Sequence, residues 1–112
     1  MPTLISASLH LFATEISGRT SAISNGYRPT FRFKHIDGYW GGDIFEMTPD
    51  PLPPGGDASI RFELISWEEL EPHLGIGTAF SIWESRPHGE GVITGFESVE
   101  DIPRIRFPHP GN

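Results

Sequence analysis

The sequence predicts an all-β domain of six short strands, arranged either as a barrel or as a sandwich. Six segments alternate apolar and polar residues, at intervals of roughly a dozen residues. The 13 glycines and 11 prolines are spread along the chain, which is typical of short strands joined by many turns. No segment has the sustained periodicity of a long helix, so the helical and mixed classes are disfavoured.

Alternating side chains define the strands. In the first, the odd-numbered positions from Ile5 to Leu11 are apolar and share one face. In the second, Phe31 and Phe33 alternate with polar residues, and the fourth repeats this pattern around Phe62. The third follows a turn rich in glycine, and a short loop separates the last two. The predicted strands are residues 3–14, 28–36, 43–48, 58–66, 78–84 and 91–97.

Glycine, serine and proline mark the connections between these strands. Residues 17–26 are rich in glycine and serine and predict a long loop. Residues 49–57 contain prolines that cannot pair in a central strand and glycines that permit the following turn. Ser66, as an N-cap with a glutamate three residues later, predicts one helical turn at 66–70, which Pro72 ends.

We expect one domain at residues 1–97 and a proline-punctuated tail at 98–112. A chain of 112 residues can bury one core. The tail is either disordered or an extended segment that covers a barrel edge. The chain contains no cysteine, no readable signal peptide and no apolar run of about 20 residues. We therefore expect a cytoplasmic protein without a membrane partner.

The charge is acidic and unevenly distributed. The formal net charge is −7, of which residues 1–56 contribute −1 and residues 57–112 contribute −6. An acidic chain disfavours non-specific binding to nucleic acid, and we expect no DNA partner. Between Glu15 and Asp37, however, there are four positive charges and no negative charge. This basic window is a local exception.

The basic window predicts a surface that we call the basic face. On a strand, alternate residues point the same way, so cations there share one side while Phe31 and Phe33 anchor the other. Such a face either contacts the phosphates of an RNA or is a solvated surface whose cations pair with neighbouring carboxylates. The basic face comprises Arg28, Thr30, Arg32 and Lys34, with Arg19 and Thr20 on the adjoining loop.

A second candidate surface, the acidic segment, lies in the connection after the fourth strand. It comprises Trp67, Glu68, Glu69, Leu70 and Glu71. A run of charge is commonly just solvated. The alternative is a loop that docks a protein partner, in which Trp67 or Leu70 is an apolar anchor ringed by charge. The acidic half of the chain would then attract a basic protein.

The sequence offers no catalytic motif. There is no nucleophile elbow, no metalloprotease histidine pair and no phosphate-binding loop. The five histidines are scattered, and only Glu69, Glu71 and His73 are close enough in sequence to suggest a metal site in an extended loop. We expect a chain that is not an enzyme, with no catalytic residue, no bound metal and no cofactor.

Four short motifs resemble the C-terminal β-barrel domain of translation elongation factor Tu. The first is the most specific: Gly18-Arg19, followed after a loop by Gly26-Tyr27-Arg28-Pro29 running into a strand. The other three come in the matching order, and the resemblance extends from about residue 5 to residue 96. They are Pro54-Gly55-Gly56-Asp57, Phe80-Ser81-Ile82 and Gly89-Glu90-Gly91-Val92.

The resemblance implies a six-stranded antiparallel Greek-key β-barrel. The family barrel packs on a GTPase domain, touches the T-stem of aminoacyl-tRNA and meets the exchange factor. By position, it implies that Arg19 and Thr20 lie on the tRNA-facing loop and that Thr30 stands where the family usually has glutamine. The GTPase has no counterpart in these 112 residues.

Two functional hypotheses follow. The first is a free-standing, non-catalytic binding module, regulatory or antitoxin-like, that docks a protein partner through the acidic segment. The second is a translation-related module that binds tRNA or another RNA through the basic face.

Overall fold

The computed structural model describes residues 3–98, and it contains all six predicted strands. The predicted tail, apart from Ser98, lies outside the described residues. The strands are β1 (Thr3–Leu11), β2 (Thr30–Phe33), β3 (Trp40–Thr48), β4 (Asp57–Leu64), β5 (Ala79–Glu84) and β6 (Arg86–Ser98). Two four-residue helices, α1 (Thr14–Ser17) and α2 (Trp67–Leu70), lie in the connections, and a 3-10 turn at Glu71–His73 follows α2.

The six strands close into a barrel, which decides between the two arrangements that the alternation allowed. Every neighbouring pair is antiparallel, and the order around the barrel is β1-β4-β3-β2-β5-β6, with β6 pairing back onto β1. Closure leaves no unpaired edge strand among residues 3–98 that could pair with another chain. Among residues 3–98, no helix has the length and apolar character needed to cross a bilayer.

Several predicted boundaries were wrong; β3, for example, begins at Trp40 rather than at residue 43. β1 ends at Leu11 rather than at residue 14, because α1 begins at Thr14. β2 is confined to four residues, whereas residues 28–36 were predicted to be extended. β6 begins at Arg86 rather than at residue 91, because Ser85, at φ 70°, reverses the chain between β5 and β6. A single left-handed residue thus replaces the predicted loop.

The barrel interior is filled by aromatic rings. Phe31, Phe33, Phe62 and Phe80 are fully buried. The rings of Phe31 and Phe62 stack with centroids 4.4 Å apart, and Phe80 lies 5.5 Å from each of them. Inward-facing glycines make room for these rings: a Cβ on Gly91 would lie 2.6 Å from the Phe80 ring, and one on Gly42 would meet the Phe31 ring.

The two ends of β4 lead into connections that cover opposite ends of the barrel. Before β4, the proline-rich connection is held by hydrogen bonds from the Gly55 amide to the Leu11 carbonyl and from the Leu11 amide to the Gly56 carbonyl. Leu52 in this connection is buried and pairs with Ile23. After β4, α2 inserts Leu70 into the core.

Candidate binding surfaces

The structure places the basic face on and around β2. Thr30 and Arg32 alternate with the buried Phe31 and Phe33, so they lie on the outer surface of the barrel. Arg28 and Lys34, just before and after the strand, are exposed. The Arg28 side chain is 78% exposed, and its guanidinium Nε is 3.6 Å from the Asp43 carboxylate. A contact this long and this exposed leaves the Arg28 charge accessible to a ligand.

Arg19 is engaged by the barrel itself. Its Nη1 donates to the Glu84 carboxylate over 2.9 Å, and its Nε donates to the Ser21 carbonyl over 3.0 Å. The guanidinium also lies over the Tyr27 ring, 5.2 Å from the centroid. The side chain is only 13% exposed, so its charge is largely committed within the fold. The neighbouring Thr20 is exposed.

Tyr27 completes this cluster, because its hydroxyl donates a hydrogen bond to the other Glu84 carboxylate oxygen. Burial raises the pKa of Tyr27 above its ordinary value, and this hydrogen bond raises it further by a smaller amount. In the opposite direction, the hydrogen bond from Tyr27 lowers the pKa of Glu84, and the Arg19 cation adds to that effect. The cluster thus joins the predicted long loop to the end of β5, and it is held together by an ionised Glu84.

Replacing Tyr27 with phenylalanine is expected to lower the unfolding free energy at neutral pH by about 1 kcal/mol, since the lost bond has a charged but partly exposed acceptor. Because the folded-state pKa of Glu84 is lowered, wild-type stability decreases as the pH falls through the ordinary glutamate range. Without the Tyr27 hydroxyl, this decrease becomes shallower. Urea unfolding across the acid range measures both effects, with Tyr39→Phe as the control. Parallel pH profiles for Tyr27→Phe and wild type would contradict this account.

Next to Arg32, two aromatic residues extend the basic face in a way that sequence reasoning missed. The Arg32 guanidinium lies 5.1 Å from the centroid of the Tyr39 ring. Tyr39 in turn meets Trp83 edge-on, with ring centroids 5.5 Å apart, and Tyr39 is 59% exposed. The alternation of β5, which buries Phe80 and Ile82, could have placed Trp83 outside. Tyr39 lies in the turn before β3 and had no such signal.

The structure divides the acidic segment into exposed and buried residues. Glu68, Glu69 and Glu71 are exposed, and none of them forms a salt bridge within residues 3–98. Leu70 is 1% exposed and belongs to the core, so it has no surface to offer a partner in this conformation. We call the three exposed glutamates with the half-buried Trp67 the acidic surface.

Trp67 also forms one wall of a groove at this end of the barrel. Its ring packs on Phe96 of β6, with centroids 5.8 Å apart, and Phe96 remains 38% exposed. The groove has a volume of about 330 Å³. Its lining is Thr3, Trp67, Glu71, Leu74, Phe96, Glu97 and Ser98. The groove therefore combines apolar side chains with two carboxylates.

Further acidic groups surround this end of the barrel. Burial, together with the neighbouring Asp43 carboxylate, raises the pKa of Glu63. Arg61 lies between two acids, 3.3 Å from the Glu46 carboxylate and 3.1 Å from the Glu97 carboxylate. One cation is thus shared between two carboxylates, and the surface around the groove has negative potential.

The described residues form no metal-binding cluster, and their one histidine–carboxylate pair lies in an open cleft. Among residues 3–98, no three histidine, aspartate or glutamate side chains are arranged to hold a metal ion. An open cleft of about 350 Å³ contains His10, whose Nδ1 is 2.9 Å from an Asp57 carboxylate oxygen, together with Lys34 and Glu90. His10 and Asp57 are both exposed to solvent. The pair therefore lacks the dry surroundings that activate titratable groups in catalytic sites.

Comparison with known families adds no assignment, since the chain matches no protein-family model. The likeness to the elongation factor barrel therefore depends on the four sequence motifs and on how they lie in the barrel.

Proposed function

We propose that this chain is a non-catalytic binding module that docks a basic protein partner through the acidic surface. The observation that carries the proposal is the set of three exposed glutamates around Trp67, none of which forms a salt bridge within residues 3–98. These carboxylates do not stabilise the described part of the fold through ion pairs, so they can attract an incoming cation. Charge complementarity of this kind raises association rates and excludes acidic competitors.

We further propose that the module belongs to the Greek-key barrels of the elongation factor Tu C-terminal type. The strand order supports this, because β2, β3 and β4 are consecutive neighbours and β1 lies beside β4. Residues of the motifs also have structural positions in this barrel. Pro29 is buried directly before β2, and Gly89 and Gly91 face inward on β6.

Charge reversal of the acidic surface tests the proposed function without touching the core. In the triple variant Glu68→Lys, Glu69→Lys and Glu71→Lys, each exchange reverses one exposed charge. The affinity for a basic partner should therefore fall by at least about tenfold. The measurement is quantitative affinity purification from the native cell extract, followed by titration of the captured protein. We avoid Leu70→Ala because the loss of a core side chain would weaken the fold itself.

The matched control reverses three exposed acids elsewhere, in the triple variant Glu15→Lys, Asp37→Lys and Glu90→Lys. It changes the net charge by the same amount but leaves the acidic surface intact. An equal loss of binding in both variants would show that the net charge of the protein, and not the acidic surface, causes the effect. Undiminished binding by the first variant would show that the acidic surface is not where the partner docks.

RNA binding through the basic face is the second candidate, and the stack of Arg32, Tyr39 and Trp83 favours it. Aromatic faces beside exposed cations are the usual platform for unpaired bases. Three accessible cations, Arg28, Arg32 and Lys34, lie on or next to β2, whereas Arg19 is paired with Glu84.

For this candidate, filter binding to tRNA at several salt concentrations is the test. Contacts from three cations predict a log–log salt slope of about −2.7, or a loss of roughly 40-fold between 50 and 200 mM salt. Arg28→Ala should reduce the slope by about 1, and Arg19→Ala should leave it unchanged. No measurable binding at low salt, or equal effects of the two variants, would reject the basic face as an RNA site.

A further inference from the structure

The groove beside Trp67 leaves apolar surface uncovered where the described chain ends. Trp67, Leu74 and Phe96 supply its apolar lining, and Glu71 and Glu97, which also pairs with Arg61, supply carboxylates. Exposed aromatic surface rimmed by charge usually marks a place where another segment binds. Ser98, the last described residue, is itself part of the lining, so the rest of the chain is attached to the barrel beside this groove.

The composition of that remaining chain is complementary to the groove. Residues 102–107 read Ile-Pro-Arg-Ile-Arg-Phe. In an extended backbone, Ile105 and Phe107 point to one side while Arg104 and Arg106 point to the other. Proline at 103 and at 108 restricts the preceding residues to extended conformations, which reduces the entropy lost on binding.

We propose that residues 102–107 bind back into this groove of the same molecule. Ile105 and Phe107 would pack against Trp67 and Phe96, and the two arginines would lie beside Glu71 and Glu97. The seven residue steps from Ser98 to Ile105 span up to about 24 Å when extended, so the chain is long enough to turn back onto the groove. The short tether favours the intramolecular contact, because it gives the segment an effective concentration in the millimolar range. This proposal does not rest on the proposed function, and the segment would compete with a basic partner for Trp67 and Glu71.

The absence of cysteine allows a direct test on the full chain. A nitroxide attached at His109→Cys lies just beyond the segment and should broaden the NMR signals of nearby amides. Signals of residues beside Ser98 would broaden in any case, so the diagnostic ones are Trp67, Glu71 and Leu74, which are remote in sequence. Adding Ile105→Ser and Phe107→Ser should lower the bound-to-free ratio by about tenfold or more and restore these signals.

A second variant, Arg104→Glu with Arg106→Glu, should also restore the diagnostic signals. The new carboxylates would be repelled by Glu71 and Glu97 of the groove. Unchanged β-strand amide shifts in both variants verify that the barrel is folded. Broadening confined to residues beside Ser98, or unaffected by the Ile105 and Phe107 substitutions, would overturn the proposal.

A mixture of isotope-labelled chains without nitroxide and unlabelled chains with it should show no broadening. Broadening in that mixture would assign the groove to a second copy and overturn the intramolecular contact.

Discussion

Gly91→Ala is expected to destabilise the barrel by at least about 3 kcal/mol, which is the upper end for overpacking a core. A Cβ at this position would collide with the Ser8 backbone carbonyl oxygen of β1 and would lie 2.6 Å from the Phe80 ring. Neither neighbour can move cheaply, because Ser8 lies in a paired strand and Phe80 is fully buried. To accommodate the added methyl group, β1 and β6 would have to separate. For a domain whose total stability is of order 5–15 kcal/mol, this is a large fraction.

Gly95→Ala is the matched control for this prediction. It lies on the same strand, but a Cβ there would meet only the Ser6 side chain at 4.0 Å, which is an ordinary contact. Alanine at such a position should be neutral or stabilise the fold by about 0.4–1 kcal/mol, through the unfolded chain. Urea unfolding followed by tryptophan fluorescence measures both variants. Similar values for the two would show that the close approach of β1 and β6 is not a constraint.

Phe31→Ala is expected to cost about 3–5 kcal/mol, the range for removing a buried aromatic ring. The Phe31 ring stacks on Phe62, contacts Phe80 and lies 6.4 Å from Phe33. A closed barrel of six hydrogen-bonded strands cannot contract around the missing ring, so the cavity should persist. The melting temperature should fall by about 10–20 °C in calorimetry.

Two controls separate this cavity effect from a general intolerance of phenylalanine replacement. Phe31→Leu keeps most of the buried apolar volume and should recover more than half of the lost stability. Phe12→Ala removes the same group from a partly exposed position outside the strands and should cost about 1 kcal/mol. A Phe31→Ala value as small as that of Phe12→Ala would contradict a core built around stacked rings.

Strand existence and side-chain direction were accessible to sequence reasoning because they depend on a local period of two. Ile60, Phe62 and Leu64 were expected on one face of a strand, and all three are buried in the barrel. The same holds for Phe31 and Phe33 in β2. A barrel has one inside and one outside, so alternation along each strand translates directly into burial.

Contacts between distant segments were not accessible in the same way. Arg19 was expected on an open loop, yet its partner Glu84 lies 65 positions away at the end of β5. Leu70 was expected as an anchor for a partner, yet its helical turn folds inward and buries it. Both outcomes depend on how the connections pack onto the closed barrel, and no local pattern contains that information.

The residues by themselves determine that this chain forms short strands with one apolar face, that proline and glycine end them, and that its charge is divided between a basic window and an acidic half. These properties follow from backbone sterics and side-chain chemistry over a few neighbouring positions. Only the tertiary structure decides that the strands close into a barrel, that Arg19 is neutralised and that Arg32 lies on Tyr39. Those features require groups far apart in the chain to meet, and their energies depend on the distance and burial that result.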